Sequence, residues 1–363
     1  MWASVKQWVS QHRRVVACAA VGGGLVGGYA LYRHLRPVID DLRDSLRMMQ
    51  EMEQRVRDEQ IGQLHERLSR AFAQTCEASH LALVHMVLEI RARLDDMFQI
   101  DAMRQALRSR SKGAEGASAP ADEFKCAVLA RTFALLYSLS LAAVMLRVQL
   151  CIAARYSSTE GGPEQDRTNA AFLQIAQHLV HDGLSAIAAA ASQTVATMTS
   201  SYAIKSPVTP ADIASLVERI RQRMDDELVM HRAQFMMPAM DRDEEGVTTR
   251  LLEMRAEMEQ LVNSDSMALV LRASLQTTFT TLDDAHVMSE GDKDEVAFGR
   301  ILPKFARVFD VDLPKTIGDA KASALLRTII DQPELKDFSA IVFFPVDHPG
   351  QHEFQAQRPP TSL

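Results

Sequence analysis

The stretch Thr132–Leu146, TFALLYSLSLAAVML, runs for fifteen residues without a charge, bracketed by Arg131 and Arg147. That length falls between a buried core helix and a membrane span, which needs about 20 apolar residues. Ser138 and Ser140 interrupt it, and the helical pattern extends on both sides to cover residues 123–154. A helix that is apolar all round must be buried somewhere. The stretch therefore reads as the central helix of an all-α bundle rather than as a second span.

Outward from this helix, residues 109–122 (SRSKGAEGASAPAD) and 155–168 are small and polar and read as loops. Upstream, Ile61, Leu64, Leu68 and Phe72, then Leu83, Val87, Ile90, Leu94 and Met97, recur every three or four residues as amphipathic stripes. Asp40–Arg70 is dense in charge and reads as a solvated stalk or outer helix. Downstream, helix is expected from about Asn169 to Tyr202, then over roughly 211–236, 243–284, 294–309 and 317–331. Thr209 is placed to cap a helix that begins at Pro210 with Asp212 in its first turn. Ile341–Phe344 is the one short β-like run.

The N-terminus carries a second uncharged stretch, Val15–Tyr32, with Lys6, Arg13 and Arg14 before it and Arg33 and Arg36 after. Its eighteen residues would span about 27 Å as a helix, close to the hydrocarbon thickness of a bilayer. Trp8 on one side and Tyr29 and Tyr32 on the other suit interfacial anchors. The expected organisation is a basic tail (1–14), a transmembrane anchor (15–32), an all-helical domain (33–347) and a loose C-terminal tail (348–363). Gly22, Gly24 and Gly27 spell GxGxxG, but a basic tail stands where a dinucleotide fold needs a strand.

The composition supports this reading. The chain has 363 residues, 47% of them hydrophobic and only 6% aromatic, with net charge -7. Leu, Ala, Met, Arg, Gln and Glu dominate the long runs, a mix that favours helix. The acidic balance argues against a nucleic-acid partner. The four cysteines form no CxxC pair and no disulfide framework. No P-loop, HExxH, GxSxG or EF-hand loop is present. His178 and His181 stand three apart beside Asp182, but a zinc site needs further ligands and none is evident. Ser109 and Lys112 match SxxK without any supporting motif. These observations predict no catalytic residue, no metal, no cofactor and no small-molecule substrate. Arg104, Arg108, Arg110 and Lys112 form a basic run at a helix end, read either as a solvated terminus complementing its dipole or as a rim for an acidic peptide or lipid headgroups.

Three blocks resemble the peroxin-3 family. The first is the N-terminal layout of basic tail, glycine-bearing span and charged helix. The second is Arg131–Leu150 (RTFALLYSLSLAAVMLRVQL), with Arg131, Tyr137, Ser138 and the run at 146–150 in place. The third is Phe172–Leu184 (FLQIAQHLVHDGL), with Gln177, His178, Leu179, Asp182, Gly183 and Leu184. Weaker similarity continues through Ser264–Leu282, Arg300–Pro303 and Lys336–Phe338.

The resemblance implies an elongated all-α domain on the cytosolic face of the peroxisomal membrane, anchored once by its N-terminal span among the lipids, with Arg13 and Arg14 in the targeting segment. It also implies a groove that accepts the N-terminal amphipathic helix of peroxin-19, so that the protein docks carriers of newly made membrane proteins. Matched residue by residue, Leu107, Ala121, Phe124, Lys125 and Val128 fall in that groove, with Arg104, Arg108 and Arg110 as a basic rim. Ala121 departs from the pattern, because better-known members carry a tryptophan there. Loss of such an aromatic anchor costs about 2 kcal/mol, roughly thirtyfold in affinity. The alternative within the same architecture is a membrane-anchored helical tether that recruits organelle inheritance or motility factors.

Overall fold

The computed structural model describes residues 66–110, 118–157, 163–239, 248–282, 295–309 and 323–344, with isolated positions at 48, 62, 63, 313, 314, 316 and 319. The expected tail of residues 1–14 with Arg13 and Arg14, the span of 15–32, and the C-terminal tail of 348–363 lie outside the described residues, as does Lys112. The chain divides into two compact units, Met1–Ser69 and Arg70–Leu363. The described positions of the first unit are helical.

In the second unit, residues 70–98 form α1, followed by α2 (Ile100–Arg110) and the long α3 (Ser118–Ser157). Next come α4 (Pro163–His178), a single π-helical turn (Leu179–Gly183) and α5 (Leu184–Met198). Beyond a short strand, β1 (Pro207–Val208), lie α6 (Pro210–Met236), α7 (Thr249–Val262) and α8 (Asp265–Leu282). Strand β2 (Val296–Ala297) pairs antiparallel with β1 and leads through a 3-10 turn into α9 (Leu302–Arg307). Helices α10 (Ala324–Ile330) and α11 (Pro333–Phe343) complete the described chain. The all-α expectation holds, with a two-residue ribbon added.

Helix α3 organises the unit. Its 40 residues span about 60 Å, and every residue from Ala127 to Gln149 is buried. Although long and apolar enough to cross a bilayer, 94% of its apolar window is buried inside the protein. Helices α2, α4, α5 and α7 to α11 all pack against it. Its hydroxyl groups find partners instead of water: Ser138 donates to the Ala134 carbonyl at 2.6 Å, and Ser140 bonds Thr278 of α8 at 2.9 Å. Tyr137 donates to the Asp225 carboxylate of α6 at 2.5 Å. Buried polar groups are tolerated on these terms.

Several boundaries differ from the sequence expectation, each for a local reason. The stripe at 243–284 is two helices, because the Ser264 hydroxyl accepts from Met267 N and caps a new helix at Asp265. The run from 169 to 202 starts earlier, at Pro163, and is interrupted by the π turn. Ile341–Phe344 is not a strand: it ends α11, with Val342, Phe343 and Phe344 buried and the two rings packed on Phe72. In α1 the buried face is Leu83, Val87, Ile90, Leu94 and Phe98, while Met97 faces solvent. Thr209 caps α6 as expected, and with Asp212 it forms a reciprocal capping box, Asp212 N donating to Thr209 at 3.2 Å and Thr209 N to Asp212 at 2.8 Å.

Candidate functional site

The positions matched to a groove all lie on the hairpin of α2 and α3. Gln99, at φ 45°, ends α1 in the left-handed region and turns the chain, while Phe98 and Ile100 on either side are buried and fix the corner. Met103 N then bonds the Gln99 carbonyl at 3.1 Å and starts α2. On α3 the positions Ala121, Phe124 and Val128, with Lys125, share one face by their spacing of three and four. The outer members, Ala121 and Phe124, are half-buried, as is Leu107 on α2. The inner members enter the core: Val128 is 1% exposed and Lys125 is 2% exposed.

Lys125 is therefore an internal charge and does not line an open groove surface. Its ammonium donates to the Asp122 carboxylate at 3.1 Å, to the Thr199 carbonyl at 3.1 Å and to the Tyr202 carbonyl at 2.5 Å. Thr199 is the C-cap of α5, where carbonyls lack helical partners and a cation is favourable. The lysine bolts the start of α3 to the end of α5. Of the expected rim, Arg104 pairs with Asp101 at 3.0 Å and is half-exposed, and Arg108 is exposed. For Arg110 only the helical backbone belongs to the described residues.

Further polar locks brace this end of α3. Arg131, 3% exposed, donates to Asp95 of α1 at 2.9 Å and lies 3.9 Å over the Phe309 ring. Arg91 reaches the Phe309 and Leu313 carbonyls at 3.0 and 3.1 Å. Tyr202 stacks on Phe298 at 5.9 Å, and Gly299 N donates to the Ile204 carbonyl at 2.8 Å. Sequence reasoning missed these partners because they stand tens to hundreds of residues apart, with no local pattern to betray them.

The histidine pair does not converge. His178 bonds the Gln234 carbonyl at 2.9 Å and lies 3.3 Å from Asp182, whereas His181 faces Arg93 and Glu89. Among the described residues no group of three or more metal-ligating side chains assembles. Gly183 of the same block has a packing role. A Cβ there would sit 2.1 Å from the Phe235 carbonyl oxygen, so only glycine lets the π turn approach α6 this closely.

A model of the peroxin-3 family matches residues 156–344, more than half of the chain. That stretch contains the Phe172–Leu184 block, the π turn and the helices α4 to α11, while Leu107, Ala121, Phe124, Lys125 and Val128 precede it. No curated protein matches the chain.

Proposed function

The chain belongs to the peroxin-3 family, and from that premise we propose that it is a docking receptor for peroxin-19, held in the peroxisomal membrane by a single span over residues 15–32. The family acts in peroxisome biogenesis at the peroxisomal membrane, works with other peroxins and is not a known enzyme family. A biogenesis factor of this kind works by binding, and the described unit is built accordingly: its buried polar groups lock helices together.

The observation that carries the docking reading is the set Leu107, Ala121 and Phe124. These apolar side chains stay partly exposed on the α2–α3 hairpin, while the rest of their face on α3 is sealed in the core. An amphipathic helix laid along α2 and α3 would cover them, as helix-in-groove recognition requires. Arg104 and Arg108 border the same surface and supply positive potential for an acidic partner. Lys125 and Val128 act from beneath, by fixing α3 in place.

The test uses the full chain in nanodiscs and a labelled peptide of the amphipathic N-terminal helix of its own peroxin-19, read by fluorescence anisotropy. Phe124→Asp and Leu107→Asp are each expected to weaken binding at least tenfold with unchanged helicity by circular dichroism. Undiminished binding would remove the groove from this hairpin and leave family membership intact.

A further inference from the structure

Cys76 of α1 and Cys151 of α3 stand opposite each other on two antiparallel helices. At one end of the pair, Arg131 of α3 donates to Asp95 of α1 at 2.9 Å. At the other end, Phe72 of α1 packs on Phe343 and Phe344, while Arg155 of α3 donates to the neighbouring Val342 carbonyl at 3.0 Å. Cys76 stands 19 residues before Asp95, and Cys151 stands 20 residues after Arg131. Both therefore lie about 28–30 Å along their helices from that ion pair, at one level. Cys76 also continues, through His80, the stripe of Leu83, Val87, Ile90 and Leu94 that α1 buries. Cys151 is 0% exposed, and its thiol feels the charge of Cys76.

Packed helices stand about 8–10 Å apart, with their Cα atoms about 2.3 Å from each axis. Residues that face each other at one level thus bring their Cα atoms to about 3.4–5.4 Å, overlapping the roughly 4.4–6.8 Å that a disulfide spans. Both thiols are free, Cys76 half-buried and Cys151 sealed in the core. Arg147 and Arg155 stand one turn before and one turn after Cys151, and each favours negative charge on its sulfur. Arg147 is 2% exposed, and its Nη1 has no hydrogen-bond acceptor. A guanidinium beside a thiol eases the removal of its proton. Cys126, the third described cysteine, lies toward the other end of α3 against Thr199.

We infer that Cys76 and Cys151 form an oxidation site at which a hydroperoxide converts the two thiols to a disulfide, tying the first turns of α1 to the end of α3. The half-buried Cys76 reacts first, because Cys151 is out of reach of solvent. The Cys76 sulfur attacks a peroxide oxygen, the O–O bond breaks, and an S–OH group forms. The departing oxygen takes the thiol proton and leaves as water or an alcohol. The Cys151 sulfur then attacks the Cys76 sulfur, and the S–S bond forms as the S–O bond breaks. The hydroxide released takes the Cys151 proton and leaves as water. The two sulfurs together lose two electrons, which the peroxide gains. A small dithiol reverses the change by exchange. Helix α1 opens the second unit at Arg70, so the bridge holds the entry to that unit in place. The site does not depend on the docking reading given above.

The experiment treats the full chain in nanodiscs with hydrogen peroxide, blocks the remaining thiols with N-ethylmaleimide and maps the digest by mass spectrometry. A peptide pair joined through Cys76 and Cys151 is expected, lighter than its two parts by two hydrogens and separated again by dithiothreitol. Cys76→Ser and Cys151→Ser should each abolish it, and Cys126→Ser should leave it unchanged. Hydrogen exchange of the amides of residues 70–80 should slow at least tenfold in the oxidised chain relative to the reduced one, and not in Cys76→Ser. Four results would each overturn the proposal: no joined peptide, joining that occurs only in urea, Cys76 joined instead to another cysteine or to a second copy of the chain, or exchange at 70–80 indifferent to the bridge.

Discussion

A lysine ammonium has three protons to donate, and Lys125 places all three on acceptors inside the protein: Asp122, Thr199 and Tyr202. Lys125→Met would keep the stem and remove the charge, leaving the Tyr202 carbonyl without this donor and the Thr199 carbonyl with Tyr202 N alone. The expected cost is about 2–3 kcal/mol, read as a lower urea midpoint by circular dichroism. Cys151 shows the same interior from another side. Burial is the main cause that pushes its thiol up to about 12, reinforced by Cys76 and opposed by Arg147 and Arg155. An unfolded thiol ionises near 8.5, so between that pH and about 12 the folded chain holds a proton that the unfolded chain has lost. Stability therefore falls as pH rises through this window and is unaffected by Cys151 below it. Urea midpoints at pH 8, 9 and 10 should decline less steeply for Cys151→Ala than for the unmodified chain.

At the scale of elements, the start of α6 was legible and the helix interruptions were not. Thr209, Pro210 and Asp212 announce α6 because capping is settled by residues three apart. The π turn at Leu179–Gly183 has no such local signature, and the close contact its Gly183 makes is with the carbonyl of Phe235 on another helix. Gly183→Ala would press a methyl into that backbone oxygen, which cannot rotate away. The expected loss is about 2–3 kcal/mol, at the upper end for overpacking. Gly299→Ala should cost less, because the nearest obstacle is the Ile204 side chain at 2.7 Å, which can shift. Thermal denaturation of the two variants side by side checks the order. Likewise Ser264 divides α7 from α8, and the buried face changes phase there, from Met254, Met258 and Val262 to Met267, Val270 and Leu271. A run of apolar residues spaced three to five apart does not by itself show where one helix ends and the next begins.

At the scale of the whole molecule, α3 is a helix with no outward face, so the unit that surrounds it has to fold as one. Leu136, 0% exposed at its centre, should lose about 2–5 kcal/mol on change to alanine, because neighbours on all sides cannot collapse into the gap. Leu269→Ala, at a side chain 62% exposed, should stay within about 0.5 kcal/mol. Chemical denaturation of both variants tests whether burial around α3 dominates stability. The same feature explains why a helix of membrane-like composition lies inside a protein: its serines, threonine, tyrosine and glutamine, with Arg131 and Arg155, are held by neighbouring backbone and side chains.

What the sequence determined by itself was the class of the fold and the family. Periodicity, uncharged length and capping pairs act over a few residues, so fifteen uncharged positions ending at Leu146 sufficed to require a buried central helix. Tertiary structure alone decided what individual charges do. It turned Lys125 from a candidate groove residue into an internal bolt and sent His178 and His181 to separate partners. A side chain's electrostatic role depends on atoms a few ångströms away, and for Arg131 and Arg91 those atoms belong to residues 36 to 222 positions distant.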